Sequence, residues 1–256
     1  FFLYLPFLDG VKYSFTNSQG YGDYKFIGLK NYIALFQDNR VGHAYLFTFL
    51  IAILITVLIN VIALFLSVLL NSKIAFKNGF RAIFFIPYTL SVLVIGYVFK
   101  YIFMNPLPEL GKALGIKWLS TSLLTNEQLS WIPIVFLAVW QGIAYSVLIY
   151  LAGLQTISPS LYEASTMEGA TGWENFWKVT FPMISPIILV NAVYTIIDSM
   201  AGLNNPIIDK IYYESVVYGR HGPAAAMSWL YFLIISAVLL VFIAIASRKV
   251  YYEDAR

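Results

Sequence analysis

Three carboxylates, Glu163, Glu168 and Glu174, stand in a polar stretch of 21 residues, Tyr162 to Pro182, set between two long apolar runs. Acids in that pattern suit charge-assisted hydrogen bonds to a basic partner, which are short and directional. Covalent chemistry has little to work with. The chain has no cysteine, which removes disulfides, iron–sulfur clusters, thiolate zinc sites and cysteine nucleophiles together. Its two histidines, His43 and His221, lie far apart in sequence, against a histidine metal site or a Ser-His pair, so no enzyme and no bound metal is expected. No phosphate loop of the GxxxxGKS or GxxxxGKT type occurs, so ATP could not be held that way by this chain.

A second set of polar groups lies inside the apolar runs, where polarity is expensive and points to a pathway. Asn191, Tyr194 and Asp198 are three and four residues apart, which puts them on one face of a helix. Trp140, Gln141 and Tyr145 form another polar-aromatic group, and Asn60 and Tyr88, beside Pro87, could add to it. Amides and a carboxylate can bind hydroxyl groups, and aromatic faces can cover C–H surfaces. For any one of these residues, interhelical hydrogen bonding worth about 0.6 kcal/mol per pair is an equally good reading. Asp198 is the exception, because an uncompensated carboxylate is poor glue.

The elements that must position these residues are membrane helices. Sixty per cent of the residues are hydrophobic and 11% are charged, against roughly a quarter charged in soluble domains. The net charge of +3 is too small to imply nucleic acid. No Lys, Arg, Asp or Glu occurs in 41–72, 82–99, 128–162, 179–197 or 221–247. A span needs about 20 apolar residues, so each gap holds one helix. The opening run, FFLYLPFLDGVKYSF, reads as the outer half of a sixth, with a native N-terminal piece expected before it. The spacing predicts an all-α membrane protein with helices over 1–16, 44–70, 82–104, 130–152, 183–203 and 225–247, forming one domain over 1–256. Barrel strands would alternate apolar and polar residues, and these runs are apolar on every face. Lys73, Lys77 and Arg81, with Arg248 and Lys249, place the 153–182 side in the cytoplasm. On the other side, FIGLKNYIALF is amphipathic and suits the interface, and Pro106 and Pro108 are expected to stop a helix.

Within the polar stretch, Ser158 reads as an N-cap with Pro159 in the first turn. Leu161, Ala164, Met167 and Ala170 recur at three-residue steps, and Gly169 and Gly172 punctuate the helix. A second short helix then carries Trp173, Phe176 and Trp177 along one face, and Pro182 and Pro186 break or restart the chain as it re-enters the membrane. An interfacial helix lying on lipid would carry Lys or Arg toward the anionic leaflet. Here three acids oppose a single Lys178, which favours a basic protein partner.

Glu163-Ala164-Ser165, Gly169 four residues later, and Val179-Thr180-Phe181-Pro182 resemble the EAA loop of binding-protein-dependent ABC importer permeases. Ser165 stands for the third Ala, Glu168 for the usual Asp, and Val179 and Phe181 for Ile and Leu, all keeping size class and polarity. FIGLKNYIALF, FRAIFFIPYTLS and YGRHGPAAAMSWLYFL look like blocks of the carbohydrate branch, of the larger-partner type, so the resemblance covers almost the whole chain. It implies that 156–182 is a coupling helix seated in an ATPase cleft. Glu163 would face a basic residue there and Gly169 would allow the bend, with Ala164, Ser165, Glu168, Ala170 and Pro182 completing the motif. It further implies a non-identical second permease subunit, an ABC ATPase dimer holding ATP and Mg, an extracytoplasmic solute-binding protein, a saccharide substrate and a bacterial cell membrane. The alternatives are a permease for a non-sugar solute or an ion-coupled secondary transporter, the latter disfavoured by the lack of an internal repeat.

Overall fold

The computed structural model describes residues 4–72, 77–126, 128–202 and 205–251. Its helices are α1 (Tyr4–Ser14), α2 (Lys30–Gln37), α3 (Asn39–Asn71), α4 (Lys77–Thr89), α5 (Val92–Met104), α6 (Pro106–Ala113), α7 (Trp131–Leu154), α8 (Pro159–Met167), α9 (Gly172–Asn175), α10 (Phe181–Ala201), α11 (Pro206–Tyr212) and α12 (His221–Ala246). Five-residue π-turns, Phe176–Thr180 and Tyr213–Val217, join α9 to α10 and follow α11. Pairing between extended segments is limited, among the described residues, to a single bridge between Thr16 and Phe26. The all-α expectation therefore holds.

Among those residues, four helical stretches are long and apolar enough to cross a membrane: Asn39–Asn71, Trp131–Leu154, Gly172–Ala201 and His221–Ala246. The sequence predicted six spans, the first of them as the outer half of a helix, and the described part of that half is the 11-residue α1. The third is not one rod: Ala82–Thr89 and Val92–Ala113 meet at 100°. Pro87 removes a donor from the last turns of α4. The Thr89 hydroxyl bonds the Ile86 carbonyl at 2.8 Å, and the chain is extended at Ser91 (φ −59°, ψ 129°) before α5 restarts. Pro106 and Pro108, expected to stop a helix, open α6 instead, because the first turn needs no N–H bond. Lys73 lies outside the described residues, as do the side chains of Lys77, Arg81 and Lys249.

The chain divides into two units. In the unit of Phe1–Ala52 and Ile196–Phe242, Ala52, Met200, Ile207 and Tyr231 form one buried cluster and Leu35, Val41, Ala226 and Met227 another. Asn205 is the polar centre here. Its amide donates to the Met200 carbonyl at 2.5 Å and to the Tyr231 hydroxyl at 2.6 Å, and its oxygen accepts from Thr48 at 3.1 Å and from the Ile207 N–H at 2.9 Å. One side chain thus terminates α10, caps α11 and ties both to α3 and α12. Near the surface of this unit Asp38 takes Arg40 at 3.2 Å and Lys210 at 3.5 Å. Hydrogen bonds from Arg40 hold its carboxyl below the ordinary carboxylate range.

The unit of Ile53–Thr195 and Ile243–Arg256 packs α3, α7 and α10 around Ala63, Leu70, Val147, Tyr150 and Leu151, with Leu154, Ile157 and Ile184 beneath the polar loop. Close approach is enforced at Gly142, where a Cβ would stand 2.3 Å from Ile59 Cδ1. The Ser67 hydroxyl donates to the Ala63 carbonyl at 2.7 Å and lies 3.1 Å from that of Val147.

Replacing Asn205 leaves the Ile207 N–H and the Thr48 hydroxyl without a buried partner, at a cost of about 1–3 kcal/mol. Asn205→Ala is therefore expected to lower the melting temperature of the solubilised chain by several degrees, and Thr48→Val by much less. Identical melting of Asn205→Ala and wild type would show that the hub contributes nothing.

Candidate functional site

The polar loop folds into a compact helix–turn–helix. Ser158 occupies the N-cap of α8 as expected, with Pro159 behind it, yet its hydroxyl does not cap the helix and pairs with Ser160 at 2.8 Å instead. The C-terminus of α8 closes in a Schellman motif: Ala170 N–H bonds the Ser165 carbonyl at 3.1 Å and Gly169 N–H the Thr166 carbonyl at 3.0 Å. Gly169 sits at φ +84°, the left-handed region where a side chain would be strained. Gly172 has a different role from the one expected, as the first residue of α9.

Sequence reasoning missed the capping box that starts α9. Thr171 Oγ1 accepts from the Glu174 N–H at 3.3 Å, and the Glu174 carboxylate accepts from the Thr171 N–H at 2.9 Å. Lys178 adds an ion pair to Glu174 at 3.3 Å. The signal was present as Thr-x-x-Glu, but a row of three acids drew the reading toward a shared role. Glu174 is consumed internally. Glu163 and Glu168 are exposed, and neither carboxylate has a hydrogen bond or ion pair among the described residues.

Two contacts clasp α8 to the segment after it. The Tyr162 hydroxyl meets Thr180 Oγ1 at 3.0 Å, and the Ser165 hydroxyl donates to Asn175 Oδ1. Tyr162 and Ser165 are three apart, on one side of α8. The other side presents Leu161, Glu163, Ala164, Met167 and Glu168 to the exterior, with Met167 90% exposed and Ala170 half-buried just beyond. Alongside, Trp173, Phe176, Trp177 and Phe181 form a run of ring contacts with centroids 5.0–6.2 Å apart. Pro182 and Pro186 do not break the chain as expected. The π-turn Phe176–Thr180 carries the helix past Pro182 into α10, and the Ser185 hydroxyl occupies, at 2.7 Å, the Pro182 carbonyl that Pro186 cannot reach.

The intramembrane residues separate into groups. Asn191 is fully buried and donates to Asn60 Oδ1 at 3.0 Å, which also accepts from the Tyr150 hydroxyl. Asn60 in turn donates to Thr195 Oγ1 at 2.9 Å. This network joins α3, α7 and α10, and of its members the sequence reading did not single out Tyr150 and Thr195. Thr195 lies one turn after Asn191, a usable signal; Tyr150 is hidden among 19 tyrosines. A separate aromatic ladder runs from the exposed Tyr88 to the half-buried Tyr145 and Tyr194. Tyr145 lies 4.4 Å from Tyr194 and 5.4 Å from Tyr88, ring to ring, the latter pair stacked. Trp140 packs on Phe99 at 5.1 Å, and Gln141 is half-buried beside it. Asp198 belongs to the other unit, where it is exposed and has no hydrogen bond or ion pair among the described residues.

Long apolar helices carrying an exposed two-helix element define the membrane subunit of a transport permease. Residues 70–251 match the family described as binding-protein-dependent transport system inner membrane component, and this chain belongs to that family. It is a multi-pass permease subunit of an ABC importer, a transport subunit and not an enzyme. It is 33% identical to the multiple sugar-binding transport system permease protein MsmF of Streptococcus mutans, over 96% of this chain and 90% of that one. Its fold is similar to a solved bacterial ABC transporter involved in the import of the acidic polysaccharide alginate, with TM-score 0.83, 18% identity, and coverage of 96% of this chain and 91% of that one. The same holds for a bacterial alginate ABC transporter in complex with an alginate pentasaccharide-bound periplasmic protein, with TM-score 0.79, 20% identity, and coverage of 96% and 89%.

Gly169→Ala must place a Cβ in the left-handed region, at about 1–2 kcal/mol. Amide exchange over 159–175 is expected to quicken while that of α7 stays constant. Unchanged exchange across the loop would show that the bend does not need glycine.

Proposed function

We propose that this chain is one half of the translocation path of an ATP-driven importer of sugars or oligosaccharides in a bacterial cytoplasmic membrane. A non-identical permease subunit supplies the other half. Separate ATPase subunits, which hold ATP and Mg, drive the motion through the 156–182 loop, and an extracytoplasmic solute-binding protein delivers the sugar. The observation that carries the reading is the face of α8, where two carboxylates lack internal partners while the third is used to fold the loop.

Glu163 is the motif's glutamate and the group proposed to meet a basic ATPase residue. Ser165, Gly169 and the Schellman closure hold α8 at a fixed angle, so that a push on Glu163 and Met167 is transmitted and not absorbed. Ala164 keeps that face flat enough for close approach. Glu168 and Ala170 extend the contact, and Pro182 marks the entry into α10.

Support for a saccharide comes from the sugar in the relative's name, the alginate of the structural neighbours, and the side chains themselves. Tyr88, Tyr145 and Tyr194 form a ladder of rings and hydroxyls, able to cover C–H faces and bond hydroxyls as a neutral sugar passes. Trp140 and Gln141 lie next to it along α7. Asp198 offers a carboxylate for hydroxyls. Asn191 is proposed to shape the path from behind, since its side chain is already engaged.

The test uses the assembled transporter in proteoliposomes. Glu163→Lys is expected to insert normally yet lose ATPase binding and lower uptake by at least about tenfold, the scale of one charge-assisted contact made repulsive. Normal pull-down of the ATPase by that variant would overturn the coupling role. Tyr194→Ala and Asp198→Ala are expected to cut uptake while basal ATP hydrolysis survives. If both transported every tested saccharide at the wild-type rate, the path assignment would be wrong.

A further inference from the structure

We infer that α2 and the turn before it form a membrane anchor, seating an apolar stripe in the boundary between headgroups and hydrocarbon. Phe26, Leu29, Ile33 and Phe36 are 77%, 60%, 54% and 75% exposed. Ile33 and Phe36 are three apart on one face of α2, Leu29 stands at its N-cap four residues before Ile33, and Phe26 lies in the turn that leads into it. The opposite face is fixed from inside the same unit. Asn31 donates to the carbonyls of Ser14 and Thr16, each at 2.8 Å, and Tyr32 donates to Ser14 Oγ at 2.8 Å. Leu35 packs with Val41, Ala226 and Met227, and the Gly222 N–H bonds the Ser18 carbonyl at 3.0 Å. One face of this short helix is therefore pinned by hydrogen bonds and packing, and the other is held outward in a fixed orientation.

Two features select lipid as the occupant of the outer face. First, α2 passes through Asp38 straight into α3, whose 33 residues are about 50 Å long against a hydrocarbon core of ~30 Å. The polar first turn of α3, Asn39 and Arg40, falls at headgroup level, and α2 stands beside it. Second, Lys25 and Lys30 flank the stripe, exposed and without an ion pair among the described residues, and Tyr21 and Tyr24 lie exposed just before it. Lysines that can reach headgroups over apolar neighbours, with tyrosines at the same level, are the pattern of an interfacial segment. The core of a protein–protein contact is depleted in lysine.

The chain is free of cysteine, so single reactive sites need no background removal. Ile33→Cys, Phe36→Cys and Lys30→Cys would be nitroxide-labelled in the assembled transporter, in vesicles of phosphatidylethanolamine and phosphatidylglycerol. Power saturation is then read with oxygen and with a water-soluble nickel chelate. The labels at 33 and 36 are expected to be several-fold more accessible to oxygen than to nickel, and the label at 30 the reverse. Phe26→Cys repeats the reading at the far end of the stripe, in case one label disturbs α2. Nickel access at 26, 33 and 36 would overturn the anchor. So would protection from both reagents, which would show a protein covering the face.

Discussion

In hydrocarbon no water completes a missing hydrogen bond, so polar groups in a span must find partners within the protein or remain for something that passes or docks. That constraint organises this subunit. Asn60, Tyr150, Asn191 and Thr195 bond one another across three helices, with Asn191 Oδ1 left without a partner among the described residues, and Asn205, Thr48 and Tyr231 bond one another around the end of α10. The second knot also takes up backbone groups left by a helix end and a helix start, the Met200 carbonyl and the Ile207 N–H. Apolar packing around Tyr150 and Met200 then needs only to be complementary in shape, because the polar knots already fix which helices are neighbours.

Against that background, the proposed coupling role falls on groups that the fold leaves exposed and unpaired. Glu163 and Glu168 lack internal partners on a helix whose other face is clasped by Tyr162 and Ser165. A soft loop would dissipate a push, whereas this one is closed by a Schellman motif at one helix end and a capping box at the start of the next. It then runs through the π-turn into α10 with no free joint. A rigid element with an unpaired acidic face is what a coupling surface requires, and membership of the importer permease family supplies the context for it.

Much of this was legible in the residues. Charge gaps located the apolar helices because charge is expensive in a span, and the chain's all-α class followed from runs apolar on every face. The two-helix loop was readable from Ser158-Pro159, Gly169 and the aromatic run beginning at Trp173. What escaped depends on three-dimensional choice. A proline in a helical run is ambiguous by itself: Pro87 precedes a bend of 100°, Pro106 opens a helix, and Pro186 is accommodated by the hydroxyl of Ser185. Glu174 looked like its two fellow acids until the geometry tied it to Thr171 and Lys178. Asn191 and Tyr194 share an arc of α10, yet one is wholly buried in the polar knot and the other packs at a tilt against Tyr145. Helical spacing cannot separate those fates, because both are set by what α3 and α7 bring alongside.

The central claim is that the exposed face of α8 is gripped by an ATP-hydrolysing subunit and does not rest on lipid. Met167, 90% exposed at the centre of that face, can be replaced by the only cysteine in the chain and fitted with a short photo-crosslinker in the active, assembled transporter. Cross-links to the ATPase subunit, with a yield that changes when ATP is added, are the predicted result. Adducts found only on phospholipid, in a preparation that still imports its substrate, would contradict the account.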